Sequence, residues 1–191
     1  MLLKYKIELK SFGHFGSGMA QGRADNGIVR DATGNPYIPG STVKGRVRAY
    51  AEAILHARHK QACTPFQKIC GDPPCAVCSL FGWSGGNGGK IFFSDAIVEE
   101  EFKELGKYLF SDRDNVMISR SRDVAMEGHL FKTETCIPGI RFTGEIEGEM
   151  MEAERQLVIE AISVITHIGG NKSRGMGRCQ ITTEEVVNEN H

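Results

Sequence analysis

Apolar residues in this chain recur with two different periods, and the order in which those periods follow one another restricts the fold more than any single residue does. Residues 2–10 place Leu3, Tyr5, Ile7 and Leu9 on one face and Lys4, Lys6, Glu8 and Lys10 on the other, the two-residue repeat of a half-buried strand. After Ile38-Pro39-Gly40, Ser41 is placed to cap a helix in which Val43, Val47, Tyr50, Ala51 and Ile54 return at three and four residues, as far as about Arg58. A second strand is predicted at 90–98 and a third at 140–149, where Ile140, Phe142 and Ile146 share parity. A second helix, about 152–166, buries Leu157, Val158, Ala161, Ile162 and Ile165, and a fourth strand runs from Met176 to about Val186. Strand, helix, strand, strand, helix, strand is the order of an α+β, ferredoxin-like βαββαβ domain, a scaffold shared with RNA-recognition domains. The order alone assigns no function.

Two stretches do not fit that plan. Residues 61–89 hold four cysteines, three prolines and many glycines, which a regular element cannot absorb, so they read as an inserted lobe. Residues 111–136 are polar and weakly patterned, with Arg113, Arg120 and Arg122 dispersed among small residues, as in a projecting hairpin. The expectation is one domain over 1–191 with these two insertions, the chain being long enough for a single well-buried core. The start of the chain alternates instead of carrying a continuous apolar run, and nothing later approaches the roughly 18 apolar residues of a membrane span, which points to a cytoplasmic protein without membrane partners. In that setting the six cysteines are expected to include metal ligands and not to form a disulfide framework. Lys and Arg number 23 against 24 Asp and Glu, so a polyanionic partner must be met by a local patch.

Three groups of residues can carry chemistry. The run from Gly169 to Arg178 combines glycines, which let backbone N–H groups approach an anion, with Lys172, Arg174, Arg178 and the Ser173 hydroxyl; it reads as a phosphate clasp without a Walker order of residues. Lys44, Arg46 and Arg48 crowd the first turns of the first helix, where the macrodipole disfavours cations, so an anion should compensate, and a phosphate fits beside the unpaired helix N–H groups. Cys70, Cys75 and Cys78 have the spacing of a zinc knuckle, which Cys63, His56 or His59 can complete. Cys136 and Cys179, isolated at strand-like positions, read as buried small hydrophobes. In the long loop after the first strand, Asp25 either anchors a divalent metal and orients a ribose hydroxyl or forms a turn with its own backbone, and His14 is a candidate acid or base.

Pro36-Tyr37-Ile38-Pro39-Gly40-Ser41-Thr42-Val43-Lys44-Gly45-Arg46-Val47-Arg48, Cys75-x2-Cys78-Ser79-Leu80-Phe81-Gly82 and the terminal glycine-rich loop together resemble the RAMP superfamily, and within it the backbone subunit of type III CRISPR effector complexes. The resemblance implies a ferredoxin-like palm, a zinc-bearing insertion and a thumb hairpin that splays a guide–target duplex. It also implies a guide CRISPR RNA held by Lys44, Arg46, Arg48, Lys172, Arg174 and Arg178, and further copies of the subunit and other effector subunits as partners; from the residues alone, Ser173 adds a hydroxyl donor to that grip, and Arg120 and Arg122 either contact the nucleic-acid backbone or keep a hairpin soluble. Asp25 falls at the family's catalytic aspartate, which cleaves complementary target RNA with Mg2+ or Mn2+; a non-catalytic scaffold, or a metal-independent guide-processing enzyme acting through His14, are the alternatives. Where many relatives have Ile-Asp-Arg before the thumb, this chain has Ile118-Ser119-Arg120, which supplies no second acidic group.

Overall fold

A computed structural model describes residues 2–18, 24–60, 62–63, 70–83, 88–119, 121 and 124–186. In chain order the elements are β1 (Leu2–Leu9), β2 (Tyr37–Ile38), α1 (Gly40–Ala57), α2 (Ala76–Phe81), β3 (Ile91–Phe93), β4 (Ala96–Val98), α3 (Glu100–Lys103), β5 (Phe110–Ser119), β6 (Val124–Cys136), β7 (Arg141–Gly148), α4 (Glu152–Ser163) and β8 (Cys179–Val186). The main sheet is ordered β2-β4-β7-β1-β8, with β3 also on β7, and β1 lies antiparallel between β7 and β8. That is the ferredoxin-like arrangement expected from the two periods, with α1 packed on α4.

The alternation in β1 is realised as written. Leu3, Tyr5, Ile7 and Leu9 are buried, and with Phe142 and Ile146 of β7 they meet Val43, Val47, Ala51 and Leu55 of α1 and Leu157, Val158, Ala161 and Ile162 of α4. Each such aliphatic side chain contributes about 1.5–3 kcal/mol on burial, so this interface dominates the stability of the palm. On the opposite face Lys4 pairs with Glu145 and Lys6 with Glu99. Cys136 and Cys179 are buried, as small apolar residues would be.

The single strand expected at 90–98 is two. Phe93 faces Ile146 and Ile97 faces Thr143, so four steps on one strand oppose three on the other, and the extra residue forms a bulge at Ser94-Asp95. Ser94 pairs with Glu145 through its N–H and its hydroxyl oxygen, and Asp95 is turned toward α1. There its carboxylate accepts the Gly40 N–H at 2.7 Å. The helix therefore begins at Gly40, after Pro39, and not after a Ser41 cap. Asp95 supplies the anion that the cation-rich first turns require, so at least the first of the N–H groups expected to face a phosphate is already taken. Gly40 is fixed by proximity: a Cβ there would lie 2.3 Å from the Phe93 carbonyl oxygen.

The second helix and the last strand are both shorter than their periods suggest. α4 ends at Ser163, because the Thr166 carbonyl is recruited by the Cys179 N–H at the start of β8. The intervening residues fold into a loop held by Ile168 N–H to the Gly177 carbonyl and Gly177 N–H to the Phe12 carbonyl. β5 and β6 form a separate two-stranded antiparallel hairpin, onto whose root the loop after β1 adds a parallel bridge, Asn26 to Thr133.

Candidate nucleic-acid interface

A chain of hydrogen bonds links the glycine-rich loop to Asp25. The Gly170 N–H donates to the His14 carbonyl at 2.8 Å, the His14 Nδ1–H to the Glu134 carbonyl at 2.7 Å, and the Glu134 N–H to the Asn26 carbonyl at 3.0 Å. Asp25 itself donates its N–H to the Lys132 carbonyl at 3.0 Å, and its carboxylate Oδ2 accepts the Lys132 N–H at 2.8 Å. The aspartate is thus bolted to the hairpin root by backbone on both sides, and among the described residues Oδ1 has no other partner. Asp25 is exposed, and its hydrogen-bonded mount leaves this oxygen unengaged.

Glu134, which the sequence reading passed over, is the hub of this mount. Its carboxylate is buried, accepts the Ile28 N–H at 3.0 Å and pairs with Arg30, whose guanidinium lies 3.7 Å above the Phe110 ring. The folded chain shows why it matters: Thr133, Glu134, Thr135 and Cys136 are buried in succession, so β6 is covered on both faces there, and a carboxylate so placed needs partners.

The glycine-rich loop carries a short 3-10 turn, Lys172–Arg174, between Asn171 and Gly175 in left-handed conformations. Lys172 folds its ammonium back to the Gly169 carbonyl at 2.8 Å, while Ser173, Arg174 and Arg178 are exposed. Among the described residues, the Arg174 and Arg178 guanidinium groups have no anionic partner, and exposed cations without one suit a phosphate. Ser11 braces the loop, donating to the Gly175 carbonyl at 3.0 Å and accepting the Arg178 N–H at 2.9 Å.

The helix α1 cations divide. Arg46 donates Nε–H to the His167 carbonyl at 3.1 Å, and His167 bridges to Arg178, so Arg46 borders the glycine-rich loop. Lys44 reaches the Ile91 carbonyl at 3.2 Å and lies 6.0 Å above the Phe92 ring; burial, and then the neighbouring Arg48, hold its ammonium pKa below the ordinary lysine value, a penalty that a nearby anion would relieve. Arg48 is not brought into this group, because it turns to the cysteine lobe. Arg120 and Arg122 lie outside the described residues.

In that lobe the sulfur atoms of Cys63, Cys70, Cys75 and Cys78 all lie within 4.8 Å of one another, and neither His56 nor His59 joins them. A tetrahedral ion with metal–sulfur bonds of about 2.3 Å needs sulfurs about 3.8 Å apart, so four thiolates so placed can hold zinc. Burial raises the Cys75 thiol, but hydrogen bonds from the Cys78 and Cys63 backbone outweigh that and leave it at about 7. Hydrogen bonding to Cys70 and burial push the Cys63 thiol up to about 11. One thiolate thus opposes the ionisation of its neighbours, and a dication removes that opposition.

Residues 6–180 match the RAMP superfamily, and the chain belongs to that superfamily. Over 203 aligned residues, covering 98% of this chain and 80% of the relative, it is 28% identical to the CRISPR system Cms endoribonuclease Csm3 of Methanocaldococcus jannaschii. Among solved structures it is similar to a subunit chain in the cryo-EM structure of the type III-B Cmr-beta complex bound to cognate target RNA, with a TM-score of 0.71, 12% identity, and coverage of 96% of this chain and 97% of that one. The apo state of type III-B Cmr-beta gives a TM-score of 0.69 at 13% identity, covering 97% and 98%. At such identities the structural likeness concerns the fold. Among the described residues, no helix is long and apolar enough to cross a membrane.

Proposed function

We propose that this chain is a guide-RNA-binding backbone subunit of a type III CRISPR effector complex and cleaves RNA complementary to the guide in a divalent-metal-dependent reaction. The observation that carries the reading is the mounting of Asp25: an exposed carboxylate at the root of the hairpin, tied by hydrogen bonds to a loop with unpartnered cations. Lys44, Arg46, Lys172, Ser173, Arg174 and Arg178 grip the guide backbone, and Arg120 and Arg122 act on the same duplex. Specificity comes from base pairing while the protein holds phosphates. Asp25 provides the carboxylate for Mg2+ or Mn2+, which stabilises charge developing at the scissile phosphate. The 2′-hydroxyl next to that phosphate is the nucleophile, and the hairpin holds it in line. Other effector subunits and further copies of this chain are the protein partners, in the cytoplasm.

The cysteine lobe holds a structural zinc ion. Stripping it with a strong chelator under reducing conditions is expected to open residues 70–82 to limited proteolysis while β1, β7 and β8 stay protected, because the packing of that segment depends on the crosslink and the sheet's does not.

A scaffold without catalysis is the second reading, favoured by the bond from Lys132 N–H to Oδ2, which a purely turn-forming aspartate would also make. The assembled complex, given labelled complementary RNA with Mg2+ or Mn2+, decides between them. Regularly spaced cuts, absent with EDTA and absent from a non-complementary strand, are the expected result; a bound but uncut target would leave the scaffold. Cleavage of the guide precursor that survives EDTA would point instead to His14.

A further inference from the structure

We infer that Arg48 is a positioning residue of the cysteine cluster, one that pins Cys78 to helix α1 and thereby governs how tightly the four thiolates keep their ion. The inference rests on the zinc reading of that cluster.

Three nitrogens of the Arg48 guanidinium are engaged within the protein. Nε donates to Glu52 Oε1 at 2.9 Å, Nη1 to the Gly82 carbonyl at 2.6 Å, and Nη2 to Cys78 Sγ at 3.7 Å. Lys44 and Arg46, from the same two turns, each spend one donor on a backbone carbonyl. The Arg48 fork therefore differs in kind from its neighbours.

Two of its acceptors belong to α2 and its end: Cys78 is the third residue of that helix and Gly82 caps it. Cys75 precedes this helix, Cys78 lies within it, Gly82 closes it, and Ser79 and Gly82 N–H groups bond back to the Cys75 and Cys78 carbonyls. Val77, Leu80 and Phe81 bury its other face. One guanidinium thus fixes both the sulfur and the C-terminal end of the element that carries one of the four ligands and directly follows another. Four thiolates around a dication carry a net charge of about −2. A cation hydrogen-bonded to one of the sulfurs offsets part of that charge and fixes that ligand's orientation, as partners behind metal ligands commonly do. Glu52, four residues along α1, holds the guanidinium at the right angle and keeps the local charge balanced.

The test uses the full chain as wild type, Arg48→Ala, Arg48→Lys and Lys44→Ala. Zinc content and the rate of zinc transfer to a chromogenic chelator are measured, together with affinity for a labelled single-stranded RNA at saturating zinc. Arg48→Ala is expected to weaken zinc retention by about 10–100-fold, the range typical of lost partners behind metal ligands. Arg48→Lys, which keeps the charge and loses the fork, falls between. In cobalt-loaded protein, both Arg48 variants should shift the thiolate-to-metal charge-transfer band, a readout that loose packing elsewhere does not produce. Zinc transfer at the wild-type rate in Arg48→Ala would overturn the inference. So would a loss of RNA affinity matching that of Lys44→Ala with zinc retention and the cobalt band unaltered. Should Arg48→Ala fail to fold, Arg48→Lys carries the comparison. A wild-type chain purified without zinc and unable to take it up would remove the premise, and the zinc reading with it.

Discussion

Replacing Asp25 by alanine in the assembled complex is expected to abolish target-RNA cleavage while leaving guide and target binding intact. The carboxylate contributes to chemistry through one oxygen and to structure through the other. Removing a group that positions a metal or a proton commonly costs about 10²–10⁴-fold in rate. The structural share is one hydrogen bond, from the Lys132 N–H, and the backbone pairing of Asp25 and Asn26 with the Lys132 carbonyl remains in the variant. Asp25→Asn separates the two roles. An amide oxygen still accepts the Lys132 N–H, so the turn survives, but the negative charge that attracts a divalent ion is gone. Equal loss of cleavage in both variants, with unchanged footprints on the guide, assigns the effect to charge. Retained cleavage in both would leave Asp25 as a turn residue and the subunit as a scaffold.

Gly177→Ala is expected to cause the largest loss of stability of any methyl-sized change in the glycine-rich loop, and to take guide binding with it. Gly177 has φ +72°, and a Cβ built on it would lie 1.9 Å from the Ile168 carbonyl oxygen. Backbone cannot retreat there, since Ile168 N–H donates to the Gly177 carbonyl and Gly177 N–H to the Phe12 carbonyl. The left-handed conformation costs an alanine about 1–2 kcal/mol, and the displaced hydrogen bonds bring the total to about 3 kcal/mol. For a chain of this length that lowers Tm by about 6–12 °C. Gly175→Ala is the control: its φ is +78°, but open space surrounds the added methyl group, so only the conformational cost applies. Thermal unfolding and RNA titration of the two variants side by side check the expectation. Equal effects would mean that the Ile168 contact does not constrain the loop.

The palm was legible in the sequence because each of its main elements buries one face, and periods of two and 3.6 record that directly. The bulge was hidden, because Phe92 and Ile97 are apolar yet exposed. The buried residues change parity from Ile91 to Ala96 and Val98, which an unbroken strand cannot do. The capping of α1 was not legible, since Asp95 is 55 residues from Gly40 and no local pattern joins them. Arg48 failed for a similar reason. On a helix its spacing from Lys44 says that the two share a side, but only the tertiary position of α2 decides that Arg48 meets a sulfur and a carbonyl. Among the three alternatives for the fourth metal ligand, spacing could not choose, whereas the folded lobe selects Cys63. Glu134 escaped notice because charged residues in a polar hairpin are ordinarily solvated.

The Ser94-Asp95 bulge also makes the chain sensitive to its own length at that point. Deleting one residue there is a phase error: Ala96 and Val98 exchange faces with Ile97, and the carboxylate that meets Gly40 falls out of step. Since α1 is seated by that carboxylate and carries Lys44 and Arg46, the slip would propagate from the sheet to the proposed RNA grip. Substitutions that preserve the count are absorbed far more readily than any insertion or deletion, so across homologues this segment should drift in composition while holding its number of residues.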